Sequence, residues 1–144
     1  MRKTGWCAVV DVKYIMFFLG SASHIILWLF YKSLRKRKVY LVSFLIASLL
    51  ALYAILHTDS PELKSTEKDY WLFLPILFLA NFGLLRTLFL IIFGNEPLMT
   101  GYRQSSWEQG EYRRLHFGDA FFTILALVVP WLIIISLSYL KILN

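Results

Sequence analysis

The sequence predicts an all-α membrane protein: four transmembrane helices with a short interfacial helix between the third and the fourth. Three observations lead there. The 144 residues are 58% hydrophobic and 17% aromatic, more apolar than a soluble domain of this size can cover with polar surface. The apolar residues fall into four long runs, at 14–31, 39–57, 70–93 and 120–140, each close to the ~20 residues that cross a bilayer. The polar stretches between the first three runs alternate in sign, basic and then acidic. Four spans and their connections use the whole length, so residues 1–144 are expected to form one domain.

The N-terminal residues are mildly basic, with Arg2, Lys3 and Lys13 against Asp11. The run that follows is too long for the apolar core of a signal peptide and lacks a small-x-small cleavage site, so it is read as the first span. Gly20, Ser21, Ala22 and Ser23 in its middle allow close approach of another helix. Cys7 is the single cysteine, which excludes an intrachain disulfide and a cysteine-based metal site.

Residues 32–38 read KSLRKRK, with Lys32, Arg35, Lys36, Arg37 and Lys38 all positive. By the positive-inside rule this run is cytoplasmic and lies at the headgroups of an anionic leaflet. Four spans then leave both termini on the non-cytoplasmic side. The acidic stretch 58–69 agrees with that orientation, and the absence of a transit-like N-terminus points to a bacterial inner (plasma) membrane. The net charge of +6 and the pI near 9.6 are explained by topology. Nucleic-acid binding is not expected, because no basic residues lie on a folded soluble face.

In the second span Ser43, Ala47 and Ala51 recur every four residues, a small-residue stripe suited to helix packing in lipid. The third span opens with Tyr70 and Trp71 as interface anchors and closes at Gly94-Asn95, with Pro97 preventing continuation. It carries a charge, Arg86, which is costly inside a membrane. Gly83 lies one turn before Arg86 and leaves room for the guanidinium to lie along the helix.

The connection 94–118 is the longest polar segment. Ser105 with Glu108 and Ser106 with Gln109 fit capping boxes, so a short helix is expected near Trp107. Trp107, Tyr112, Arg113, Arg114 and His116 interleave aromatic and basic character, as suits a membrane surface in contact with lipid or a partner. The last span begins beside Asp119 and meets Pro130, where a kink is expected.

Arg86 lies about 10 Å from the cytoplasmic end of its helix, and Asp119 stands at that end. An Arg86–Asp119 ion pair fixing the third and fourth spans is the expected arrangement, against snorkelling to the headgroups. His24 is expected to bond Ser21 or a polar group of another helix. It is offset from His57 by about 16 Å, which disfavours an intrachain haem, and a ligand pair across a dimer stays open. His116 and Asp119 could serve as an acid–base pair on a lipid phosphoester, but no second carboxylate stands at metal-binding spacing. No phosphate-binding, hydrolase or metalloprotease motif is present, and no acidic residue lies well inside a span, as a proton-coupled exporter needs.

These features predict a non-enzymatic integral subunit or scaffold without cofactor or metal. It packs against a larger membrane protein or complex, especially through its second span, and docks through 94–118. An anionic-lipid-binding or lipid-modifying protein is the alternative, with Arg86, Arg113 and Arg114 on the headgroup. A homo-oligomeric pore lined by Ser21, His24, Asn81 and Thr87 is a second.

Overall fold

A computed structural model describes residues 5–58, 70–99 and 115–142, with side chains for 14–56, 70–99 and 115–139. Among the described residues the fold is helical, without strands. The elements are α1 (Gly5–Leu29), a one-turn α2 (Tyr31–Leu34), α3 (Arg37–Thr58), a 3-10 turn (Tyr70–Phe73) running into α4 (Leu74–Phe93), and α5 (Phe117–Ile142). Three stretches are long and apolar enough to cross a membrane: Arg37–Leu56, Tyr70–Phe93 and Phe117–Tyr139. In α1 the described apolar stretch, Tyr14–Leu29, is shorter. Many outward-facing residues are large and apolar, with Phe117 86% exposed, Ile91 75% and Leu56 68%. Such a surface is stable against lipid tails and not against water.

The centre of the bundle is α4, which contacts α1, α3 and, most extensively, α5. Its buried face is aromatic: Phe78, Phe82 and Phe89. Phe82 and Phe89 each meet Phe122 of α5 edge-on at 5.8 Å between ring centres. Such edge-to-face pairs favour one packing over many. Asn81 also reaches across to α5, donating from Nδ2 to the Leu125 carbonyl at 3.0 Å. Ser23, Ser48, Thr87, Thr123 and Ser138 return their hydroxyls to the carbonyl four residues back, so those donors stay satisfied inside a low-dielectric medium.

Close approach is made where side chains are small. A Cβ on Gly20 would collide with the Trp71 carbonyl, so this glycine lets α1 seat on the 3-10 turn. Trp71 is half-buried, with its ring 4.8 Å from Phe17 and 5.7 Å from Trp131. Ala47, Ala51 and Ala54 are buried and Ser43 half-buried within the chain's own bundle. The face of α3 expected to meet a larger partner is therefore already covered by the chain itself.

The helix ends follow local chemistry. Gly94 closes α4 in the left-handed conformation, φ 67°, and donates its N–H to Leu90 O at 3.0 Å. Pro75 stands in the first turn of α4, where its missing donor costs no bond. The helix α5 begins three residues earlier than the expected 120 and runs on through Pro130 without interruption. The basic run is not a plain loop: its first residues belong to α2, which buries Leu34 of the run and Tyr31 just before it.

Candidate functional site

At the end of the bundle that carries the basic run, the chain after α4 turns back into the protein. Pro97, Leu98 and Met99 are buried, although they follow the Gly94 helix stop and belong to a polar connection. Three polar contacts hold this returning segment. Arg86 donates through Nε to Glu96 Oε2 at 2.8 Å and through Nη2 to Oε1, a two-pronged pair between half-buried side chains. Arg35, at the end of α2, donates to the Pro97 carbonyl and lies over the Tyr31 ring at 5.7 Å. Leu98 donates its backbone N–H to Asp119 Oδ1 at 2.9 Å. The other oxygen, Asp119 Oδ2, accepts the backbone N–H of His116, also at 2.9 Å.

Asp119 thus ties both ends of the connection to one carboxylate. Its contact with His116 is half of a capping box, with an acid in the third position of α5 reaching back to the N–H of the residue before the helix. The residue is fully buried, at 0% exposure. A carboxylate bonded by backbone donors on both oxygens is a structural group. His116 meets it through its backbone and is exposed, so the two side chains do not form the acid–base pair considered from the sequence.

The Arg86–Asp119 ion pair expected from the sequence is replaced by Arg86–Glu96. The guanidinium does point to the helix end, but the returning connection brings a carboxylate to it ten residues on, while Asp119 accepts the backbone amides of Leu98 and His116. Burying a charged pair with two parallel hydrogen bonds offsets desolvation better than a single contact. The Glu96 carboxyl is held below the usual carboxylate range, first by the hydrogen bonds from Arg86 and then by the charges of Arg86 and Arg35, with partial burial opposing.

Gly83 does not make room for the guanidinium either. A Cβ there would lie 2.5 Å from Tyr40 Oη, and it is this hydroxyl that occupies the space, donating to Leu79 O at 2.9 Å. Tyr40, Gly83, Arg86, Thr87 and Leu90 line an open groove of about 520 Å³ between α3 and α4.

His24 sits apart from this end, 2% exposed, against the edges of Phe78 and Trp131. Neither of its ring nitrogens, nor the buried Ser21 hydroxyl, has a hydrogen-bond partner among the described residues, contrary to the bonded histidine expected from the sequence. Of the other residues considered for a pore, Asn81 is taken up by α5 and Thr87 faces the groove. Among the described residues no three metal-ligating side chains come together. Trp107, Tyr112, Arg113, Arg114 and the helix expected near Trp107 lie outside the described residues. Lys32, Lys36, Arg37 and Lys38 are exposed.

Sequence reasoning missed Glu96, the burial of Leu98 and Met99, and the inward role of Arg35. The available signal was an apolar pair, Leu98-Met99, standing behind an acid and a proline in an otherwise polar connection. No protein-family model, curated protein or solved structure matches the chain.

Two sets of variants test these contacts. In a double-mutant cycle, Arg86→Gln and Glu96→Gln should show a coupling energy of about 1–3 kcal/mol in thermal unfolding. Because the folded Glu96 titrates below an unfolded glutamate (about 4.3), its contribution is full above that value and is lost as pH falls through the lower folded one. Glu96→Gln should flatten this acid limb. Second, His24→Leu should keep the fold and raise stability by about 1 kcal/mol, since it removes an unbonded buried polar ring. A lowered unfolding midpoint would show that the imidazole has a bonding partner.

Proposed function

We propose that the chain is a non-enzymatic integral membrane subunit with four spans, which docks a larger membrane protein through its 94–118 connection. The observation that carries this reading is the Asp119 carboxylate, which accepts the Leu98 and His116 amides at 2.9 Å each. A segment whose two ends are pinned side by side on the bundle is presented in a defined position, which lowers the ordering cost of binding. The charged groups nearest the membrane interior serve the same end. Arg86, through Glu96, and Asp119 both hold the connection to the bundle.

The fourth span of this reading is α1, whose described apolar stretch, Tyr14–Leu29, is shorter than the others but lies in a longer helix. Its 25 residues extend about 38 Å at helical rise, more than a hydrocarbon core of about 30 Å. The orientation rests on charge. Arg35 of the basic run bonds Pro97 of the connection, so both lie at one end, and the positive-inside rule makes that end cytoplasmic. Both termini are then non-cytoplasmic, in keeping with a bacterial inner membrane.

The test is site-specific photocrosslinking of the full chain in its native membrane, followed by mild extraction and mass spectrometry. Probes at Trp107 and Tyr112 should capture one membrane protein in stoichiometric amount, and a probe at the lipid-facing Ile91 should not. Asp119→Asn should lower the capture about tenfold, because it weakens the seating of both ends of the connection. A chain recovered without a protein partner, or one captured equally with Asp119→Asn, overturns the reading.

A further inference from the structure

The groove beside Arg86 is not used by the docking just described. Its lining combines one guanidinium, two hydroxyl side chains, a glycine and a leucine. Two observations together point to an occupant. The first is unspent donors. Arg86 gives Glu96 its Nε–H and one Nη2 hydrogen, and a guanidinium carries five N–H bonds. The other three find no acceptor among the described residues, in a part of the molecule where water is scarce and unsatisfied donors are expensive. The second is charge. The groove lies on α3 just past its first turn, and Lys36, Arg37 and Lys38 at the start of that helix are exposed. Arg35 is also close enough for its charge to act on Glu96. The nearby charge balance favours an anion, and the approach is amphipathic, with Leu84 and Ile91 exposed one turn either side of Thr87 on its face of α4.

We infer that this groove binds the phosphate headgroup of an anionic glycerophospholipid, with Arg86 donating to the phosphate and Thr87 beside it. The acyl chains then lie along the exposed aliphatic surface of α4. Arg86 serves as the meeting point of an internal carboxylate and an external phosphate, using different N–H groups for each. The volume of about 520 Å³ suits a headgroup better than a single ion. The basic residues at the start of α3 draw anionic lipid to the opening, while the guanidinium supplies the directed bonds.

The test uses the purified full chain, exchanged from vesicles of phosphatidylcholine and phosphatidylglycerol in equal amounts, with retained lipid read by native mass spectrometry. Phosphatidylglycerol should be retained over phosphatidylcholine by about tenfold, because both offer Arg86 a phosphate but only the choline brings a positive charge into a groove flanked by basic residues. Excess inorganic phosphate should not displace it. Thr87→Trp fills the groove while leaving the Arg86–Glu96 pair in place, and it should abolish the preference without changing the unfolding midpoint. Arg86→Gln with Glu96→Gln should abolish it too. Equal retention of the two lipids overturns the inference, as does displacement by free phosphate. A preference that survives Thr87→Trp also overturns it, since general attraction to the basic run would then account for the selectivity. The outcome is independent of protein capture by the connection, so this site and the docking reading fail separately.

Discussion

An arginine on an apolar helix must be neutralised or hydrated, and how Arg86 is neutralised governs the polar end of this protein. A charge at the centre of a span costs several kcal/mol on insertion scales. Here the chain supplies the counter-charge itself, by stopping α4 at Gly94 and bringing Glu96 back against the guanidinium. Once Glu96 is seated, Pro97, Leu98 and Met99 have to enter the bundle behind it. Their backbone groups then need partners. Arg35 takes the Pro97 carbonyl and Asp119 takes the Leu98 amide. One charge thereby ties α2, α4, the connection and α5 into a single polar end.

The far side of the core is built differently. Around His24 the contacts are ring edges: Phe78, Trp131 and, one layer on, Trp71 and Phe17. Packing replaces hydrogen bonding there, at the cost of leaving Ser21 and His24 without partners among the described residues. The two regions divide the work of the fold. Aromatic packing and glycine contacts bring the helices together, and the polar end sets where the chain leaves the bundle and returns.

Much of the architecture is legible in the sequence because membrane helices follow length and hydropathy. The stretch Tyr70–Phe93 appears with the bounds expected, and Gly94 ends it as a helix-stop glycine should. The first span is less plain, since its described apolar stretch is short. The site was harder to read. Arg86 was conspicuous because charge in an apolar run is rare, but its partner depends on a chain reversal that no local periodicity encodes. Asp119 stood at the nearest helix end and looked like the natural counter-ion, yet backbone amides claim it. The stripe of Ser43, Ala47 and Ala51 marked a packing face, but spacing alone does not say whether a neighbour within the chain or another protein fills it. Gly83 is a similar case, a gap whose occupant, Tyr40, comes from a different helix.

The central claim is that the Asp119 carboxylate pins both ends of the connection to the bundle. Residue-resolved hydrogen exchange of the full chain in lipid nanodiscs tests it most directly, through the Leu98 and His116 amides. The account predicts that both are protected to the level of core amides in α4, and that Asp119→Ala releases the two together while α4 stays protected. Rapid exchange of both amides in the unaltered chain, or unchanged protection in Asp119→Ala, would contradict it.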